Sequence, residues 1–137
     1  MIRIFAIGTL KKGYPLHGYL EGAEFLGQGT SCRPFPLVIA GPWFAPMLIN
    51  EPGVGRHIKG ELYRVSPDEL AALDAAESVG RPGNYRQLIE VDRIDDHQSC
   101  YAFAYFKAAG LAEPVHSAHL DEYQDDRFIP PHLRPKA

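Results

Sequence analysis

Ser66-Pro67-Asp68-Glu69-Leu70-Ala71-Ala72-Leu73-Asp74-Ala75-Ala76-Glu77 constrains the fold more than any other stretch. It is the one well-marked helix in a chain otherwise written in short strands and turns. Ser66 suits an N-cap, Pro67 suits the first helical position, and Glu69 follows the cap at capping-box spacing, so the start of this helix has partners for its free amides. Leu70 and Leu73 mark the buried face. At roughly 100° per residue, Glu77 falls between those leucines on the helical wheel. Its carboxyl then lies along the apolar face, where burial disfavours the ionised form and raises the pKa. Such a carboxyl can both take and give a proton. The alternative is a glutamate at a fraying helix end, bent out to water.

Around that helix the pattern is of strands. Residues 2–7 (Ile-Arg-Ile-Phe-Ala-Ile) read as a strand buried on both faces and stopped by Gly8. Gly8-Thr9-Leu10-Lys11-Lys12-Gly13 is a loop between two glycines. It is either an ordinary tight turn or an amide nest able to hold an anion or oxyanion. It lacks the Gly-Lys-Ser or Gly-Lys-Thr ending of a P-loop. A short helical turn is expected within residues 14–20. Further strands are expected at 24–32 (broken by Gly27 and Gly29), 35–40, 46–49, 57–65, 85–94 and 100–106, with a loop at 78–84. Residues 109–137 are polar and proline-rich and read as a tail along the surface. Leu120 and Tyr123 are spaced to share one helical turn. Many strands, one helix and short connections predict an α+β fold: a small mixed β-barrel with one or two packed helices. The helix would plug or flank the barrel, placing Glu77 in its interior or mouth, where ligands commonly bind.

The 137 residues suit a single domain, and 13 glycines with 12 prolines agree with many turns. A net charge of −3 without a clustered basic face argues against nucleic-acid binding. No apolar run is long enough to span a membrane, and the chain enters a strand pattern at once, without a signal peptide. Cys32 and Cys100 are far apart and lack metal-type spacing. They read as reduced thiols in a cytoplasmic protein, with a single bridge as the alternative.

Other kinds of chemistry find less support. His116 and His119, near Glu113 and Asp121, have a spacing that can present two ligands on a helix face, but their segment lacks a helical pattern; no metal is expected. There is no Gly-X-Ser-X-Gly elbow, and neither cysteine has a neighbour that would lower its pKa. Asp74 flanks Leu70 on the side away from Glu77; it could face the same cavity, but the better-supported expectation is a partner for an arginine or a loop amide. Tyr63, Tyr85, Tyr101 and Tyr105 read mostly as core, with one or two offering a hydroxyl to a ligand.

Several of these segments together resemble one family. Ile4-Phe5-Ala6-Ile7-Gly8-Thr9-Leu10-Lys11-Lys12-Gly13 is similar to the "Val-Tyr-Gly-Thr-Leu-Arg/Lys-X-Gly" opening of the γ-glutamylcyclotransferase-like superfamily, and most of all to its γ-glutamylamine cyclotransferase, AIG2-like branch. Phe35-Pro36-Leu37-Val38-Ile39-Ala40-Gly41, Pro52-Gly53-Val54-Gly55-Arg56, Ile58-Lys59-Gly60-Glu61-Leu62-Tyr63 and Leu73-Asp74-Ala75-Ala76-Glu77-Ser78 with Tyr85-Arg86 follow in the family's order, so the likeness runs from residue 2 to residue 106. The resemblance implies a compact barrel with helices and a cofactor-independent release of 5-oxoproline and an amine from a small γ-glutamyl substrate. It implies an acid/base role for Glu77 and substrate contacts from the Gly8, Thr9 and Leu10 backbone, from Tyr85 and from Tyr105. Two departures stand out. Ile7 occupies a substrate-facing position where the family usually has tyrosine, and the loop at 78–84 is about two residues longer, judged by the glutamate-to-tyrosine spacing. Alternatives within this reading are a γ-glutamyl-trimming enzyme acting on a biosynthetic intermediate and a non-catalytic small-ligand module.

Overall fold

The computed structural model describes residues 1–135. In chain order the elements are β1 (Ile2–Ala6), β2 (Glu24–Phe35), β3 (Leu37–Ala40), β4 (Ala45–Leu48), β5 (Arg56–Val65), the helix α1 (Pro67–Ala76), β6 (Asn84–Arg93) and β7 (Ser99–Lys107). Five strands close a barrel in the order β1-β5-β2-β6-β7. All neighbours are antiparallel except β7 and β1, which close the barrel in parallel with Phe103 opposite Ile4. The expected mixed barrel with a packed helix is therefore the fold. β3 and β4 form a separate two-stranded ribbon.

Side-chain alternation divides the core in two. Phe5, Ile7, Ile58, Leu62, Val91 and Phe106 fill the barrel. Ile4, Ala6, Tyr63 and Val65 point outward into a second cluster, closed by Leu73 of α1 and by Leu20 from a short 3-10 turn, His17–Leu20. The helix thus flanks the barrel, and β1 is buried on both faces as its continuous apolar run predicts. Strands are close here. A Cβ on Gly60 would lie 2.5 Å from the Ala6 carbonyl oxygen, so β5 can pass β1 only with glycine at that point.

Three boundaries differ from the sequence pattern. β2 is not broken at Gly27 and Gly29 but runs on to Phe35. Gly27, at φ +120°, forms a bulge that bends the strand without ending it. β3 begins after Pro36, whose missing N–H separates it from β2. The helical turn expected at Leu120 and Tyr123 does not form, because backbone groups in this segment bond elsewhere. Leu120 N–H donates to Leu37 O at 2.8 Å, and Lys59 N–H donates to Asp121 O at 2.7 Å.

The segment after β7 is held against the barrel along its length. His116 N–H donates to Ile39 O, and Ile129 N–H donates to Trp43 O. Tyr123 is fully buried, and its carbonyl accepts from Lys11 Nζ at 2.8 Å. Among the described residues no helix is long and apolar enough to cross a membrane.

Candidate active site

The cavity that concentrates the chemistry lies at one mouth of the barrel and measures about 290 Å³. Its floor is the end of β1 and the loop after it. One wall is the C-terminal end of α1 with the last residue of β7. The rest of the lining is the β3–β4 turn and β4 with the end of the tail.

The helix wall follows from local sequence. Ser66 Oγ accepts from Glu69 N–H at 3.1 Å, and Glu69 Oε1 accepts from Ser66 N–H at 2.8 Å, so the capping box fixes where α1 starts. Ten residues on, α1 ends with a reciprocal cap: Ser78 N–H donates to Ala75 O and Val79 N–H to Asp74 O. Such a cap needs one residue in the left-handed region, and Ser78 takes it at φ +59° without being glycine. The cap sets Glu77 at the rim of the cavity, its side chain 18% exposed. Burial pushes the Glu77 carboxyl above its ordinary range, and the nearby Lys107 charge opposes the shift. Lys107 Nζ stands 3.9 Å from Glu77 Oε2. It also donates to the Glu77 carbonyl at 3.1 Å and to Asn84 Oδ1. A cation is thus placed on the free carbonyls at the end of α1, where the helix dipole favours it. Burial lowers the Lys107 pKa and Glu77 raises it.

The floor is Ile7-Gly8-Thr9-Leu10, buried throughout. The loop turns because Lys11 N–H donates to Gly8 O, while the Thr9 and Leu10 carbonyls accept from Leu16 N–H and the His17 ring. Among the described residues, the amides of Gly8, Thr9 and Leu10 donate to no protein acceptor. Unpaired amides that border a cavity are able to hold an anion or oxyanion. Gly8 is required by its neighbour: a Cβ there would sit 2.7 Å from Pro46 Cγ on β4. Ile7 contributes an apolar wall.

Tyr105 also lines the cavity, but its hydroxyl is committed: it donates to Asp74 Oδ1 at 2.8 Å. Burial first, and then Asp74, hold its pKa above the ordinary value. Asp74 accepts two further bonds from Arg86 Nε, at 3.0 and 3.1 Å, and is the arginine partner that its place on the helix suggests. Arg86 in turn lies over the Phe103 ring. This Arg86–Asp74–Tyr105 set ties the last turn of α1 to β6 and β7, and so braces Glu77.

Tyr85 is not brought to the cavity. It pairs with Phe106 across β6 and β7 and stacks on that ring inside the barrel, while Asn84, the residue before it, pairs with Lys107 at the rim. The physical reason is strand alternation, which sends Tyr85 inward with Ile89 and Val91. Four cavity residues, Lys107, Asn84, Trp43 and Arg134, are not singled out by the sequence pattern. Lys107 alone carries a local signal, a lysine closing the aromatic run of β7. Cys32 is no nucleophile at neutral pH, since burial and then Asp92 and Glu90 push its thiol up to about 12.

Known proteins share this arrangement of elements. The family described as "Gamma-glutamyl cyclotransferase, AIG2-like" matches residues 4–127. The match passes residue 106 and takes in the segment after β7 as far as residue 127. A γ-glutamylaminecyclotransferase from Homo sapiens is 33% identical over 142 residues, covering 92% of each chain. Its Bos taurus namesake is 37% identical over 128 residues, covering 88% of this chain and 74% of its own. The crystal structure of an AIG2-like protein from Mus musculus superposes with a TM-score of 0.79 at 32% identity, covering 99% of this chain and 97% of its own. The chain belongs to the γ-glutamyl cyclotransferase, AIG2-like family.

Proposed function

We propose that this protein is a γ-glutamylcyclotransferase that releases 5-oxoproline and an amine from a small γ-glutamyl amine or peptide. The observation that carries the reading is one cavity bordered both by a half-buried Glu77, whose pKa is raised, and by the unpaired amides of Gly8, Thr9 and Leu10. In this reaction the α-amino nitrogen attacks the γ-carbonyl carbon of the same molecule. The new C–N bond pushes the carbonyl electron pair onto oxygen. Collapse of that oxyanion breaks the original C–N bond, and the leaving nitrogen takes a proton. The nucleophile is tethered, so confinement in the cavity contributes much of the rate. Glu77 removes the proton from the attacking ammonium and returns one to the leaving nitrogen; the loop amides hold the oxyanion. Every step uses groups of the chain itself. Tyr105 forms a wall through its ring, because its hydroxyl is held by Asp74.

The relatives named for γ-glutamylamine chemistry support this substrate class. We further read the whole chain as one domain with its tail packed on it, acting in the cytoplasm, where two free thiols such as Cys32 and Cys100 persist. The test is 5-oxoproline release from a panel of γ-glutamyl amines and peptides, with and without Glu77→Gln. Release by the wild-type chain and none by the variant is the expected result. Binding without release by the wild-type chain would make it a small-ligand module instead. Release only from larger γ-glutamyl conjugates would make it a trimming enzyme.

A further inference from the structure

Part of the cavity lining is built by a segment that the family match does not reach. That match ends at residue 127, yet Phe128, Pro131 and Arg134 line the cavity together with Trp43. The segment is anchored firmly. Arg127 donates to Asp125 and lies over the Phe44 ring, which also stacks on His116 at 4.2 Å. Ile129 N–H then donates to Trp43 O, and a 3-10 turn at Pro131–Leu133 delivers Arg134.

Arg134 is set as a donor group. Its guanidinium lies over the rings of Trp43 and Phe128, with centroids 5.1 and 5.6 Å away. Its Nε donates to Ile129 O at 2.9 Å. Those contacts fix the plane of the group, and the Nε bond is the guanidinium's one hydrogen bond among the described residues, so both terminal nitrogens lack a protein acceptor there. The other cavity cation, Lys107, already has Glu77 and Asn84. A planar, oriented guanidinium with its outer edge open matches a carboxylate, which can accept two parallel bonds. The reacting carbonyl belongs at the floor, between Glu77 and the loop amides. With the reacting carbonyl there, the leaving amine is the part of the substrate free to extend along the Trp43 and Phe128 rings, on which Arg134 is stacked.

We propose that Arg134 is a specificity-determining residue that binds a carboxylate on the leaving amine, so that the preferred substrates are γ-glutamyl derivatives of amines that themselves carry an acid. This rests on the cyclotransferase reading and adds its substrate class.

The experiment compares matched pairs: γ-glutamyl-4-aminobutanoate with γ-glutamyl-butylamine, and γ-glutamyl-6-aminohexanoate with γ-glutamyl-hexylamine. The wild-type chain is expected to favour the acid of at least one pair by about tenfold or more in kcat/KM, the size of a charge-assisted hydrogen bond. Arg134→Gln is expected to bring that ratio close to one. Arg134→Lys, which keeps the charge and loses the fork, is expected to restore part of it. A wild-type ratio near one in both pairs overturns the inference while leaving the cyclotransferase reading intact. So does a ratio that Arg134→Gln leaves unchanged, which would make Arg134 a prop for the tail only. If no compound yields 5-oxoproline, the reading of the reaction fails, and dissociation constants of the same compounds for Glu77→Gln still decide: the acid must bind more tightly, and Arg134→Gln must remove the difference.

Discussion

The two walls of the cavity are built in contrasting ways. The floor and the Glu77 wall come from regular elements locked into the barrel: a strand buried on both faces, a helix capped at each end, and an Arg86–Asp74–Tyr105 brace. The other wall comes from a two-stranded ribbon and an irregular tail, joined by aromatic and cation–π contacts. Proton transfer and oxyanion binding tolerate little misplacement, which suits the first construction. Discrimination among leaving groups suits the second, since an irregular segment can change without disturbing the barrel. In this chain the proposed chemistry and the proposed specificity occupy separate pieces of architecture.

The contrast can be broken or sharpened by experiment. The largest effect is expected from Glu77→Gln, which removes the proton carrier and keeps the shape. Turnover should fall by about 10²–10⁴-fold or more with the circular dichroism spectrum unchanged. Retained turnover would strip the helix wall of its role. Next comes Gly8→Ala, whose new methyl collides with Pro46. A loop displaced by a fraction of an ångström should lose on the order of 10²-fold in kcat, and the overpacked methyl should cost about 1–3 kcal/mol of stability in urea unfolding.

A smaller effect concerns pH. The rate should rise as Glu77 loses its proton, and burial places that step above the usual carboxylate value near ~4.3. Lys107 favours the ionised carboxylate and so lowers this pKa. Lys107→Met should therefore move the acid limb of the kcat/KM profile to higher pH. A limb that stays in place or moves down would uncouple the two groups. The smallest effect is expected from Ser78→Gly. The left-handed conformation at the helix end costs a serine more than a glycine, so urea unfolding should show a gain of about 0.5–1 kcal/mol. A loss would mean that the serine side chain contributes to the wall.

Much of this architecture is legible in the order of residues alone. The capping box places the start of α1 within a residue, because it depends on groups three positions apart. The position of Glu77 on the apolar face follows from helical geometry, and the buried β1 follows from an unbroken apolar run. The irregular features are less legible. Gly27 has the look of a strand end and is a bulge, since only the pairing with β5 shows that the ladder continues past it. Leu120 and Tyr123 have helical spacing, but bonds from their segment to β3 and β5 hold it in an irregular path.

Residue by residue, the chain determined its strands, its helix, its glycine turn and the glutamate that faces inward, because these rest on interactions over a few positions. Tertiary structure decided what stands beside that glutamate. Lys107 and Asn84 meet it through the β6–β7 register, which puts residues 23 apart in sequence opposite one another. Tyr85 was turned into the barrel by the same register. Arg134 reached the cavity only because the tail docks on Trp43. Local patterns state which face of an element is buried. They do not state which other element buries it, and that pairing supplied the charges in this cavity.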